Sequence, residues 1–279
     1  MRLNYDCGTL EGFGDEWSRF EQSGLDADER QKLFEAYFKI FPWAELPENA
    51  AGFDIGCGSG RWAQMVVKKV GFLHCIDASE KALSVARKNL REFPNCLCAL
   101  ASFESIPLED GSMDFGYCLG VLHHIPDTVE GIGACVQKLK PGAPLLVYIY
   151  YAFDNRPPWF RMLWKVSDTG RRVISRMPFS LRYLITQAIA FCVYLPLTRV
   201  SSILERLGHD VSSFPLSIYR NASLYTMRTD ALDRFGTRLE KRFTLDHIKQ
   251  MMGRAGLERI VHSDDPPHWC VLGYRSAQK

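Results

Sequence analysis

The stretch Phe53-Asp54-Ile55-Gly56-Cys57-Gly58-Ser59-Gly60-Arg61-Trp62 decides how the chain folds. An apolar run closes on an acid, three glycines follow at alternate positions, and a helical pattern starts directly after. This is a strand, a tight turn and a helix start. Glycine at alternate positions lets the backbone turn sharply and lets a ligand lie against the main chain, where a Cβ would collide. A helix over residues 61–70 is expected to present unpaired N–H groups at its start.

Working outward, strand and helix patterns alternate. A strand over 72–76 ends at Asp77, and a helix over 80–93 carries Ala82, Leu83, Val85, Ala86 and Leu90 on one face. A strand over 96–100 leads into a loop over 102–112. A strand over 114–119 runs into Gly120-Val121-Leu122-His123-His124-Ile125-Pro126-Asp127, then a helix over 128–139 and a strand over 145–150. After a long interruption the rhythm returns with a helix over 244–255, stopped by Gly256, and strands over 257–262 and 268–275. Strands alternating with helices imply parallel pairing with right-handed crossovers. The expected fold class is α/β: a doubly wound, mostly parallel seven-stranded sheet with a mainly helical insertion. Ligands bind beyond the carboxyl ends of such strands. Those ends are Asp54, Asp77, Ser102, Leu119 and Tyr151.

The domain reading is an N-terminal helical cap over 1–50, a core made of 51–151 and 243–279, and a helical insertion over 152–242 that could form a substrate lid. In the cap, Trp17, Phe20, Leu33, Phe34, Tyr37, Phe38 and Phe41 suggest amphipathic helices ended by Pro42 and Pro47. They either cover a sheet edge or bring Tyr5, Trp17 or Phe20 over a ligand. A chain of 279 residues with 47% hydrophobic and 24% charged residues can bury a large core without staples. Nine cysteines, several of them in apolar strand-like runs, read as reduced thiols of a cytoplasmic protein rather than disulfides or metal ligands. No metal is expected. The first residues show no apolar signal region, and no run of about 18 apolar residues suggests a membrane span.

The glycine spacing discriminates between ligands. Dinucleotide sites use G-x-G-x-x-G, whereas here the third glycine comes one place early, at Gly60, and Arg61 stands where it should be. Asp54 just before the turn would repel a pyrophosphate but suits a ligand carrying an ammonium and a sulfonium. The segment Asp54–Trp62 resembles the first motif of class I S-adenosylmethionine-dependent methyltransferases. Asp77 resembles the acid that closes the second strand of that family. The segment over 102–108 resembles its adenine-side segment, and Leu122-His123-His124 its continuation after the fourth strand. Lys138-Leu139-Lys140-Pro141-Gly142 resembles its L-K-P-G-G. The resemblance spans about 50–151 and 243–275. It implies S-adenosyl-L-methionine as cofactor, held by Asp54, Gly56, Gly58, Gly60, Asp77, Ala78, Ser102, Phe103 and Leu119. Where the family usually places an aspartate for the adenine amine, this chain has Ser102, with Glu104 nearby as a compensating acceptor.

Methyl transfer from a sulfonium needs alignment and, for O- or N-acceptors, a proton sink. Histidine suits that role. His124 and His123 are the candidates, with His124 preferred; the competing reading is that they pack or cap the following helix.

The insertion carries the substrate clue. Residues 152–242 hold 15 Lys and Arg against 7 Asp and Glu, in a chain whose net charge is only +2. Tyr151, Arg156, Trp159, Tyr219, Arg220 and Tyr225 are the candidate acceptor contacts, since arginine forks suit phosphate or carboxylate; a solvated basic face is the plainer reading. The apolar run over 185–197 reads as too short to span a bilayer. It is a buried lid helix, an acceptor pocket or an interfacial helix. Together these features favour a small-molecule acceptor or a lipid- or sugar-linked one, methylated at O, N or C, and an optional peripheral membrane contact. They argue against nucleic acid. The alternative function is a catalytically silent protein that binds or senses the cofactor. The sequence is silent on oligomeric state.

Overall fold

A computed structural model describes residues 4–22 and 24–277. The chain divides into two compact units, one of 1–21, 32–152 and 239–279 and one of 22–31 and 153–238.

The first unit holds a seven-stranded sheet. Its strands are β1 (Ala51–Ile55), β2 (Phe72–Asp77), β3 (Cys96–Leu100), β4 (Phe115–Leu119), β5 (Pro144–Tyr148), β6 (Leu257–His262) and β7 (Cys270–Arg275). The order is β3-β2-β1-β4-β5-β7-β6. All neighbours are parallel except β7, which runs antiparallel to both β5 and β6. From β1 the chain winds outward to β2 and β3, then returns to place β4 on the other side of β1. The junction of β1 and β4 is therefore the topological switch point, where ligands bind in such sheets.

The helices are α1 (Cys7–Arg19), α2 (Ala27–Tyr37), α3 (Ala63–Val66), α4 (Glu80–Leu90), α5 (Thr128–Lys138), α6 (Pro158–Ile174), α7 (Phe179–Ile189), α8 (Leu195–Arg206), α9 (Leu224–Gly236) and α10 (Leu245–Arg254). Local chemistry explains where several begin. Ser79 caps α4, with Glu80 in the first turn and Arg87 and Lys88 in the last, as the helix dipole favours. Asp127 caps α5 by accepting from the Glu130 amide. α4 buries Ala82, Leu83, Ala86 and Leu90. Phe53, Phe115, Tyr117, Leu145 and Leu146 are fully buried in the central strands.

Two expectations change. The helix expected over 61–70 is only one turn, Ala63–Val66. The Asn95 side chain donates to the carbonyls of Val67 and Val70, so the chain leaves the helix with those acceptors satisfied. The run over 185–197 is not an isolated short helix. It lies inside one continuous helix, Phe179–Arg206, of 28 residues, long and apolar enough to cross a membrane by length and composition. Pro196 does not break it, because the turn Ala190–Tyr194 is a π-helix. The wider turn makes room for the proline ring and its missing N–H.

The second unit holds α6 to α9 together with residues 22–31. Ala190 and Tyr194 pack with Met227 and Ala231 in a small apolar cluster. Asp168 and Arg171 form a buried ion pair at 2.7 Å.

Candidate functional site

The glycine turn after β1 closes on itself. The Gly56 and Cys57 amides donate to the Ile76 carbonyl at 2.7 and 3.1 Å, and the Gly60 amide donates to the Cys57 carbonyl at 2.8 Å. The Gly58 amide donates to Asp77 Oδ2 at 2.8 Å. These N–H groups are spent inside the protein, so they do not form the outward nest of amides that a phosphate needs. The turn serves instead as a close wall. Gly56 has φ +74°, and a Cβ there would come within 2.3 Å of Val121. Gly58 has φ +55°, and a Cβ there would come within 2.9 Å of the Trp17 indole.

Two acids flank this wall. Asp54 is buried beneath the turn, in register with Tyr117 of β4. Loss of water pushes its carboxyl up to about 8, partly offset by the Tyr117 hydroxyl. Its Oδ2 meets hydrogen-bond geometry with no described residue. A buried carboxylate oxygen without a donor is stabilised by a cation. Asp77 accepts from the Gly58 amide with Oδ2 and from the Ser79 amide with Oδ1, both at 2.8 Å. Desolvation raises its pKa, while the amides of Ser79, Gly58 and Ala78 pull it back.

A pocket opens in front of the turn, with about 790 Å³ of space when its open mouth is included. Its floor is the ends of the parallel strands: Ile55 and Gly56, Asp77 and Ala78, Ala101 and Ser102, Leu119 and Gly120. Phe103, Val121, His124 and Ile125 line one side, and Tyr5, Asp6, Thr9, Leu10, Phe13 and Trp17 of the N-terminal segment line another. Of the expected cofactor residues, Gly56, Asp77, Ala78, Ser102, Phe103 and Leu119 reach this pocket. Asp54, Gly58 and Gly60 are not in its lining but build the turn behind it.

The two histidines separate. His124 lines the pocket. Its Nδ1 lies 2.7 Å from the Leu239 carbonyl. A carbonyl only accepts, so Nδ1 carries the hydrogen, and Nε2 of the neutral ring carries the lone pair. His123 is fully buried and outside the pocket lining, stacked on Tyr150 at 3.7 Å. Burial holds its pKa well below the ordinary histidine value, and the nearby cations Arg242 and Lys241 lower it further.

The N-terminal wall is tied down at several points. Asn4 exchanges hydrogen bonds with the main chain of Asp127 at 2.7 and 2.8 Å, and its own amide donates to Glu104. Glu104 thus anchors the N-terminal segment and does not line the pocket. Asp6 caps α1 through the Thr9 amide at 2.8 Å. Thr9 Oγ1 in turn accepts from the Leu239 amide at 3.1 Å. Leu239 therefore holds α1 with its N–H and His124 with its carbonyl. On the pocket face of α1 the sequence reading named Trp17 but not Leu10 and Phe13, although the three recur at i, i+3 and i+7. Of the three N-terminal candidates, Tyr5 and Trp17 reach the pocket. Phe20 is buried outside its lining.

The expected acceptor contacts do not gather in the pocket. Tyr151 bridges to Phe243, its ring edge-on to His268 and Trp269. The others belong to the second unit. There the Tyr219 hydroxyl donates to Asp230, Arg220 pairs with Glu205, and Tyr225 accepts from the Gln22 amide. Arg156 donates to the Ser212 carbonyl, and Trp159 is about half exposed. All nine cysteines are free thiols.

Comparison with known proteins agrees with this geometry. Residues 53–147 match the family model of a methyltransferase domain. The chain is 30% identical over 169 residues to the ubiquinone biosynthesis O-methyltransferase of Xanthomonas axonopodis pv. citri, covering 58% of this chain and 68% of that protein. It is 31% identical over 123 residues to the protein of the same name from Thiobacillus denitrificans, covering 41% of this chain but only 50% of that protein's length. An O-methyltransferase family protein from Burkholderia thailandensis shares the fold with a TM-score of 0.55 at 14% identity, over 97% of this chain and 60% of that one. A sheet that ends in a cation-seeking acid and a closed glycine turn, together with these relatives, settles the family: the chain belongs to the class I S-adenosylmethionine-dependent methyltransferases.

Proposed function

We propose that the protein transfers a methyl group from S-adenosylmethionine to a hydroxyl oxygen of a small or amphiphilic acceptor, with His124 as proton acceptor. The observation that carries this reading is the His124 ring. Its Nδ1 hydrogen is committed to the Leu239 carbonyl, the residue lines the pocket, and its other ring nitrogen, Nε2, is buried at that wall. A base at that position is useful for an oxygen acceptor, whose proton must leave as the new bond forms. The names of the curated relatives support oxygen over nitrogen or carbon.

The residues fit the cofactor on two counts. The orphaned Asp54 oxygen beneath the turn suits its positive charge, and the glycine turn, with Trp17 over it, leaves no room for a side chain. Asp77 and Ala78 at the end of β2 would hold the ribose side, and Ser102 and Phe103 the adenine side. When bound, S-adenosylmethionine supplies an electrophilic methyl group on a sulfonium and leaves as a neutral thioether. Leu10, Phe13, Val121 and Ile125 give the pocket an apolar wall that excludes water from the reacting groups. His124 Nε2 takes up the acceptor's hydroxyl proton.

The test is incubation of the protein with S-adenosylmethionine and a panel of phenolic, carboxylic and amine acceptors, following release of S-adenosylhomocysteine and the mass of the product. A mass gain of one methyl on oxygen supports the reading. Tight cofactor binding with no product from any acceptor class would favour a silent binding protein, and methylation confined to amines would remove the oxygen assignment.

A further inference from the structure

The second unit is built inside out. In the continuous helix Phe179–Arg206, the positions facing the rest of the unit are Thr186, Gln187, Ala190, Tyr194, Thr198 and Ser201, all buried. The positions facing out are Leu181, Leu184, Ala188, Cys192, Pro196, Val200 and Ile203, all exposed. Leu184 is 65% exposed, and Leu207, just past the helix, 69%. Polar and small residues inside with apolar residues outside is the reverse of a water-facing helix. It is the pattern of a helix whose outer face meets hydrocarbon, where small and hydroxyl side chains make the protein contacts.

α6 repeats the pattern independently. It buries Asp168 and Arg171 as an ion pair and exposes Trp159, Met162, Leu163, Val166 and Val173, with Met162 and Val166 each 67% exposed. Arg161, Lys165, Arg172 and Arg176 border that apolar stripe and are exposed. Both α6 and α7 pack against α9. Residues 153–238 carry 13 Lys and Arg against 6 Asp and Glu. An apolar stripe bordered by cations is complementary to an anionic lipid surface in both of its parts.

We propose that the outer faces of α6 and of the Phe179–Arg206 helix dock into the interface of an anionic lipid bilayer, lying in its plane. A spanning arrangement fits less well. The uncharged part of the long helix, residues 183–198, extends about 24 Å along its axis, against a hydrocarbon core of about 30 Å. This inference does not depend on the methyl-transfer reading, because every residue it uses lies outside the cofactor pocket.

The experiment is flotation of the full chain with phosphatidylcholine vesicles, with and without about a third of phosphatidylglycerol, at low and high salt. The wild-type chain is expected to float with the anionic vesicles, with less floating as salt rises. The exposed substitutions Val166→Glu, Leu184→Glu and Ile203→Glu together are expected to cut flotation by more than about tenfold, since each removes apolar burial and adds an anion. The thermal melt and the affinity for S-adenosylhomocysteine should be unchanged, which separates loss of docking from loss of the fold or of the cofactor site. A wild-type chain that stays with neither kind of vesicle overturns the proposal. So does a concentration-dependent dimer that the same three substitutions dissolve, because the face would then be covered by a second copy of the chain.

Discussion

Asp77 Oδ2 and the Gly58 amide share a 2.8 Å hydrogen bond that ties the end of β2 to the turn after β1. The other oxygen of the same carboxylate accepts from the Ser79 amide at the head of α4. One side chain therefore sets the shape of the glycine turn and also forms part of the pocket wall. Asp77→Asn replaces an acceptor with an NH2 group that must face one of these two donors. The expected result is a stability loss of about 1–3 kcal/mol from the unsatisfied pair. Affinity for S-adenosylhomocysteine should fall by at least about tenfold. Urea denaturation and calorimetric titration read the two effects separately, and unchanged affinity would show that Asp77 only shapes the turn.

Asp54 makes a pH prediction. Its carboxyl titrates near 3.8 unfolded and at about 8 in the fold, because burial disfavours the anion. Between those values the folded chain holds a proton at Asp54 that the unfolded chain has lost, so this carboxyl's contribution to stability falls as pH rises from about 4 to about 8. A cationic ligand stabilises the anion, so cofactor binding should release this proton and tighten as pH rises toward 8, then level off. Asp54→Asn is expected to raise the melting temperature near pH 8 more than near pH 5, to weaken cofactor binding, and to flatten this share of its pH dependence. Melting curves and titrations across that range, wild type against variant, check the sign. A melting temperature that rises with pH in the wild type alone would contradict it.

Much of the sheet was legible because its signals are local. The strand over 96–100 and the strand over 257–262 read correctly from short apolar runs bounded by turns, and the helices expected from 80 and from 128 begin where α4 and α5 begin. The helix after the glycine turn misread because its end depends on Asn95, a residue nearly thirty positions away, which takes the carbonyls that would have continued it. The length of the Phe179–Arg206 helix was hidden for a related reason. Pro196 reads as a breaker, and only the π-turn before it shows how the chain continues. The site divided along the same line. The strand-end residues carried their chemistry in the motif, whereas the part played by Leu239 uses only its backbone, which no side-chain pattern encodes. Tyr219, Arg220 and Tyr225 looked like acceptor contacts from residue type, and Asp230, Glu205 and the Gln22 amide meet their polar ends.

Trp17 and Gly58 are expected to be coupled. A Cβ on Gly58 would meet the indole at 2.9 Å, and its φ of +55° is costly for an L side chain. Gly58→Ala should therefore lose about 1–2 kcal/mol from the backbone, plus a contact penalty that depends on Trp17. In the Trp17→Ala background the contact penalty disappears and only the backbone cost remains. A double-mutant cycle on denaturation should give a coupling of about 0.5–3 kcal/mol, with Gly58→Ala less harmful once Trp17 is removed. Additive losses would mean that the indole moves aside freely and does not brace the turn.

His123 and His124 are adjacent in sequence and are expected to fail in different ways. His123 is fully buried, stacked on Tyr150 at 3.7 Å, and held neutral by its surroundings. His123→Ala leaves a cavity under that ring and should cost about 2–4 kcal/mol of stability, with turnover per folded molecule changed only a few-fold. His124 touches the pocket, and its orientation is fixed on two sides, by the Leu239 carbonyl at 2.7 Å and by the Phe13 ring edge-on at 4.9 Å. His124→Gln keeps a donor for that carbonyl but offers no comparable base. It should lower turnover by about tenfold or more, while the melting temperature and the affinity for S-adenosylhomocysteine stay near wild type. The contrast is read by measuring melt, cofactor titration and single-turnover rate on both variants. Equal turnover losses in the two would assign them to packing and leave the acceptor's proton to some other group, and full activity in His124→Gln would show that the acceptor needs no protein base.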